Sequence, residues 1–259
     1  MSHGGRHLLH LAAGERDERL NRHLAYLLAW VAGVLNSVGF VAVGFYTSHM
    51  TGLVALVADQ LVLGGLTVVL MGLVAITAFV LGAMACALQF NWARRRLRHD
   101  RFALVLLVEA VLVLIVGGLA ESVTWAHREW LIVAVLGFVM GQQNALITKV
   151  SGATIRTTHV TGMVTDIGIE LGKMVYLRRP GEPDPVRGDL AKLLMLSTIV
   201  ALFFVGGVLG AVGYLALGFP VLLVPAALLL LVSVPPLFAG GSRPWTTYPR
   251  RRHEHHQDL

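Results

Sequence analysis

The chain has 259 residues, of which 56% are hydrophobic and 14% charged, and its mean hydropathy is +0.70, whereas soluble domains run about 45–50% apolar and about 25% charged. A soluble core of this size could not hide that much apolar surface, which argues against a soluble enzyme, a disordered chain or a nucleic-acid-binding domain. Lys+Arg 21 against Asp+Glu 15 leaves a net charge of +6, and the single cysteine, Cys86, can close no internal disulfide and build no metal cluster alone.

Residues 1–23 are polar and mixed in charge, carry no apolar core followed by a cleavage site, and read as a cytoplasmic leader. Six apolar segments follow: Leu24–Phe45, Leu66–Phe90, Phe102–Ala120, Trp130–Thr148, Leu193–Leu217 and Phe219–Phe238. Each has roughly the 20 residues that a helix needs to cross about 30 Å of hydrocarbon. A backbone exposed to lipid must satisfy its own hydrogen bonds, so these are predicted helices. None shows the apolar/polar alternation of a membrane barrel strand.

Two further segments differ. Thr51–Leu63 is apolar but would reach only about 20 Å as a helix. Val160–Leu177 is longer but carries Asp166, Glu170 and Lys173, each costing about 2.5–3.5 kcal/mol at the centre of a lipid-facing helix. Both are expected to be half-helices that enter the protein interior without crossing.

The chain repeats itself. Thr47-Ser48-His49-Met50-Thr51-Gly52 recurs as Thr157-Thr158-His159-Val160-Thr161-Gly162, and Gly33-Val34-Leu35-Asn36 has a counterpart in Gly141-Gln142-Gln143-Asn144. Each copy runs span, half-helix, span, span. This divides the chain into a leader (1–23), a first membrane repeat (24–120), a second (130–238) and a basic tail (239–259). Basic residues orient the copies by the positive-inside bias. Asn91–Arg101 holds five arginines against Asp100, whereas Ala120–Glu129 holds only Arg128; Arg178, Arg179, Arg187 and Lys192 mark the next inside loop. Counting the short segments as full crossings breaks this alternation, and counting them as re-entrant restores it. The repeats are then inverted, a recurrent transporter design with discontinuous helices at a midplane site.

The run Ala32-Gly33 to Gly44, the Met50-Thr51-Gly52 element, Met140-Gly141-Gln142-Gln143-Asn144-Ala145 and Thr157–Gly162 together resemble the YoaK family, bacterial membrane proteins of unknown function. The resemblance covers roughly Leu24 to Phe238. It implies a membrane protein and supports the duplicated topology, and it brings no reaction or substrate.

The candidate site centres on Thr47, His49, Thr51 and Gly52 with Thr157, His159, Thr161 and Gly162. A helix start leaves about four amides without partners and carries roughly half a positive charge, so at membrane depth it suits an anion or polar group. The same residues could instead only cap their helices. The histidines could sense protons or simply bond across packed helices. Asn36, Gln142, Gln143 and Asn144 must face protein or a cavity. Asn36, Gln143 and Asn144 are candidate solute ligands, with helix-to-helix bonding as the alternative. Asp166 and Glu170 are candidate proton-coupling acids, unless their half-helix end is wet; Asp59 and Glu109 are weaker ones. The pairs Gly137/Gly141, Gly168/Gly172 and Gly206/Gly210 suit close helix approach within the chain or between copies, which leaves a homo-oligomer open.

No catalytic motif is present: no GxSxG, Walker A, HExxH or dinucleotide fingerprint. The expected fold is therefore all-α: a polytopic membrane bundle of six full spans plus two re-entrant half-helices in two inverted repeats. It would sit in the bacterial inner membrane with both termini cytoplasmic. Lipid and a small-molecule solute are the expected partners, with no nucleic acid, metal or cofactor. The expected function is secondary transport of a small polar or anionic solute. A channel of the same architecture, or a non-transporting scaffold or complex subunit, is the alternative.

Overall fold

The computed structural model describes residues 18–96, 101–122, 124–150, 158–176 and 186–239. Among them run eight α-helices: α1 (Glu18–Val43), α2 (Met50–Leu63), α3 (Leu66–Arg96), α4 (Arg101–Leu119), α5 (Arg128–Val150), α6 (Val160–Val175), α7 (Leu190–Leu217) and α8 (Leu223–Ala239). Short 3-10 turns, Ala120–Ser122 and Phe219–Leu222, follow α4 and precede α8. No strand occurs among the described residues. Six helices are long and apolar enough to cross a bilayer, so the chain is a multi-pass membrane protein. The remaining two, α2 with 14 residues and α6 with 16, reach only about 21 and 24 Å.

Helix ends depart from the hydropathy boundaries. α1 begins at Glu18, inside the polar leader, and α3 continues to Arg96, past the apolar run ending at Phe90. Backbone hydrogen bonding propagates a helix beyond the hydrocarbon edge, and hydropathy marks only the part that lipid or core selects. The last span opens as a 3-10 turn at Phe219–Leu222 because Pro220 sits in its first positions, and the α-helix proper starts at Leu223.

The bundle is held by three main helix pairs, α1 with α7, α3 with α5, and α4 with α8. Lipid gives apolar side chains no reason to prefer one another, so close van der Waals fit and small residues do the joining. A Cβ placed on Gly33 of α1 would come 2.1 Å from the Phe203 carbonyl oxygen of α7, and one on Gly206 would come 2.2 Å from that of Trp30. On the other pair, a Cβ on Gly141 of α5 would lie 1.9 Å from the Phe79 oxygen of α3, and one on Gly82 would lie 1.9 Å from that of Phe138. Glycine lets these carbonyls occupy the space that a Cβ would fill. The two crossings match residue for residue. Gly33 and Trp30 stand to Gly141 and Phe138 at one offset of 108, and Phe203 and Gly206 stand to Phe79 and Gly82 at another of 124. Both pairs run parallel, since Trp30 meets Gly206 while Val34 meets Gly210, and Ala75 meets Gly137 while Phe79 meets Gly141. Gly168 and Gly172 are different: nothing lies within 4 Å of a Cβ there, so they make no helix crossing within the described chain.

Each short helix packs chiefly on the helix that follows it, α2 on α3 and α6 on α7. The second hairpin is closed by Glu170, which is 2% exposed. Its carboxylate accepts from the Asp189 amide at 2.9 Å and the Lys173 ammonium at 3.0 Å, and lies 3.6 Å from Lys192. The Asp189 amide, and after it the Lys173 ammonium, hold this carboxyl below the usual carboxylate range. A carboxyl depressed on folding stabilises the fold above its unfolded value, near pH 4.3, and loses that contribution as pH falls through the folded value. Glu170→Gln should therefore melt below the parent at neutral pH, with the gap closing under acid. Melting curves in detergent from about pH 7 to pH 3 check this, and a gap independent of pH would contradict it.

Candidate functional site

An open cavity of about 900 Å³ lies among α1, α2, α3, α5, α6 and α7. The loop between α1 and α2 explains how the first helix start reaches it. Gly44, at φ +74°, reverses the chain, and Phe45 to Thr47 then run back against Gly39, where a Cβ would meet Thr47 Cγ2 at 2.7 Å. This returns the chain to the level of Asn36, whose Oδ1 accepts from the Ser48 amide at 3.1 Å and the Ser48 hydroxyl at 2.9 Å. In the second half Asn144 Oδ1 accepts from the Thr158 hydroxyl. An asparagine on a long helix thus pins the residue before the histidine in both copies.

The histidines occupy matched backbone positions. His49 is the N-cap of α2 at φ −91°, ψ 67°, and His159 that of α6 at φ −85°, ψ 55°. Neither side chain caps its own helix. The first intrahelical bonds are Leu53 N–H to His49 O and Met163 N–H to His159 O, so the three amides ahead of each have no partner within the helix. Each ring folds back over its first turn, which only a glycine permits. A Cβ on Gly52 would lie 2.0 Å from His49 Cδ2, and one on Gly162 would lie 2.5 Å from His159 Nδ1. His49, Thr51, His159 and Thr161 all line the one cavity, together with Asn36 and Asn144.

Other predicted ligands stand elsewhere. Gly52 and Gly162 act beneath the rings rather than at the wall. Thr47 is 1% exposed and does not line the cavity; its Oγ1 has no hydrogen-bond partner among the described residues. Thr157 lies outside the described residues. Gln143 turns away from the cavity: it is fully buried and donates through Nε2 to Glu109 Oε1 of α4 at 2.9 Å. Successive helical residues point about 100° apart, so Asn144 at the wall forces its neighbour Gln143 off it. Gln142 faces α3 and α4, donating to Gln89 Oε1 at 3.3 Å and to the Val105 carbonyl at 3.0 Å. Asp166 is half-exposed and lies 3.4 Å from Lys192. With Glu170 it belongs to the α6–α7 hairpin, and neither lines the cavity.

One lining residue escaped the sequence reading. Lys149, in the last turn of α5, is the only charged residue among the described residues of the wall, and its ammonium sits 5.0 Å above the centre of the Phe90 ring. It forms no ion pair among the described residues. The signal was present, because Lys149 directly follows the span ending at Thr148, but a basic residue at a span end reads first as a topology marker. Phe79 and Phe203, equivalent positions in the two halves, also line the cavity, just where their carbonyls meet Gly141 and Gly33. The arrangement is rich in donors: helix-start amides with no partner inside their own helices, two imidazoles, threonine hydroxyls and an ammonium, with no carboxylate among the described wall residues. The Oδ1 acceptors of Asn36 and Asn144 already serve Ser48 and Thr158.

No curated protein and no solved structure matches this chain. A family model described as a protein of unknown function (DUF1275) matches residues 24–234, which takes in both glycine crossings, both asparagine anchors and both histidine helix starts. The chain therefore belongs to the DUF1275 family, the same family as YoaK.

Proposed function

We propose that this protein is a secondary transporter that carries a small polar solute, preferentially an anion, across the bacterial inner membrane by alternating access. The carrying observation is that the start of α2 and the start of α6, far apart in sequence, line one cavity with matched histidine N-caps. Two electropositive helix ends and Lys149 make that cavity favourable for negative charge. On this reading α2 and α6 are re-entrant half-helices.

Helix directions support the inversion of the two halves. With α2 re-entrant, α3 runs opposite to α1. α5 runs parallel to α3, and α7 parallel to α1, so the second half starts from the opposite face. With the arginine-rich 91–101 segment inside, both termini are cytoplasmic. The two glycine crossings would then be the equivalent contacts on which the halves rock. A scaffold has no need of a cavity at which two matched helix starts meet.

The test is flux into liposomes loaded with purified protein, screened over small carboxylates, phosphate, sulfate and neutral polar solutes. Saturable uptake of an anion that collapses in His49→Ala/His159→Ala supports the reading. Uptake unchanged by the double substitution removes the site.

A further inference from the structure

We infer that Glu109 and Gln143 form a proton-binding site within the membrane bundle, in which the Glu109 carboxyl holds its proton on Oε2 and hands it in a hydrogen bond to Gln143 Oε1.

Glu109 lies at the centre of α4, in the span Phe102–Ser122, and is fully buried, as is Gln143 of α5. One bond between them exists already, Gln143 Nε2–H to Glu109 Oε1 at 2.9 Å. The other atom of each head group, Glu109 Oε2 and Gln143 Oε1, is buried with no partner among the described residues. A buried polar atom left unpaired costs about 1–3 kcal/mol, and two acceptors cannot satisfy each other. One proton on Glu109 Oε2 resolves both, because a carboxylic acid and a primary amide close a ring of two hydrogen bonds, N–H to C=O and O–H to C=O. It also removes an anion from a place where no cation among the described residues pairs with it, a burial that would otherwise cost several kcal/mol.

The surroundings fit. Of the titratable groups on elements packed against α4, Cys86 of α3 is buried, and Arg94, Arg95 and Arg96 stand at the C-terminal end of the same helix. Lys149 lies six residues beyond Gln143, about 9 Å along α5, with its ammonium over Phe90. Arg128 and Glu129 are at the opposite end of α5, and Glu121 is engaged by the Phe219 amide at 3.1 Å. α8 and the turn before it carry no ionisable side chain. Gln143 adjoins Asn144, so one stretch of α5 holds the proton site on one side and the anchor of the α6 start on the other. On the carrier reading proposed above, this proton is the coupling ion.

The experiment needs no solute, so it is independent of that reading. Infrared spectra of the purified full chain at neutral pH should contain the carbonyl band of an un-ionised carboxylic acid. That band should be absent in Glu109→Gln, which keeps an amide–amide pair and so keeps the fold, and should shift in Gln143→Met, which removes the partner. A proton held on folding is one that the unfolded chain releases above its ordinary carboxyl range, so the parent's melting temperature should fall relative to Glu109→Gln as the pH is raised from about 5 to neutral and beyond. Identical infrared spectra for parent and Glu109→Gln, or melting curves that stay parallel across that range, would overturn the assignment.

Discussion

Gly141→Leu and Gly33→Leu should each prevent the bundle from assembling, and the corresponding alanine variants should be destabilised by about 1–3 kcal/mol, the usual cost of overpacking. The added Cβ would lie 1.9 Å from the Phe79 oxygen in one case and 2.1 Å from the Phe203 oxygen in the other. Both obstacles are backbone carbonyls in the middle of long helices, so they cannot swing aside as a side-chain end could. The whole of α3 or α7 must move, which opens the cavity wall at Phe79 or Phe203. The control lies in the same molecule. Gly168→Ala and Gly172→Ala meet nothing within 4 Å and should be neutral, or gain up to about 1 kcal/mol from helix propensity. Melting temperatures and the monodisperse fraction in detergent separate the two sets. A Gly141→Leu variant as stable as the parent would show that the helices do not approach as closely as described.

The second large effect concerns uptake. On the proposed carrier reading, removing His49 or His159 would take away a donor from a charged ligand, and such a bond is worth about 1.5–3 kcal/mol, so each alanine variant should lose about tenfold or more in uptake efficiency. Because both rings serve one cavity, the double variant should depart from the product of the two single losses, as groups sharing a ligand do. Lys149→Glu should harm anion uptake more than either histidine change, and harm neutral solutes least. Initial rates in liposomes over a range of solute concentrations measure this. Losses equal for charged and neutral solutes would place the charge of Lys149 outside the site.

Much of this was legible in the chain. The spans follow from hydropathy and length, since lipid imposes both, and the two short helices follow from the Thr-x-His-x-Thr-Gly pair standing before segments too short or too charged to cross. The shared cavity was an expectation from symmetry, and His49, Thr51, His159 and Thr161 line it. What the sequence hid was rotational. Gln143 and Asn144 are equally polar and adjacent, and only packing decides that one faces α4 and the other the cavity. Glu109 stood in an apolar run with its partner 34 residues away, a separation that no local pattern encodes. Gly82 was hidden for the same reason: a lone glycine in a span does not reveal that it faces Phe138 of another helix. Ser48 and Thr158 were read as part of the motif, yet their work is to hold Asn36 and Asn144.

The most direct test places one cysteine at each helix tip. In a background with buried Cys86 replaced by alanine, Thr51→Cys and Thr161→Cys should both react with small hydrophilic thiol reagents. In the double variant, a bifunctional reagent short enough to fit the cavity should join them within one chain. Two tips that stay inert to water-borne reagents, or that react yet cannot be bridged by any reagent of that size, would mean that α2 and α6 do not begin at a common aqueous chamber.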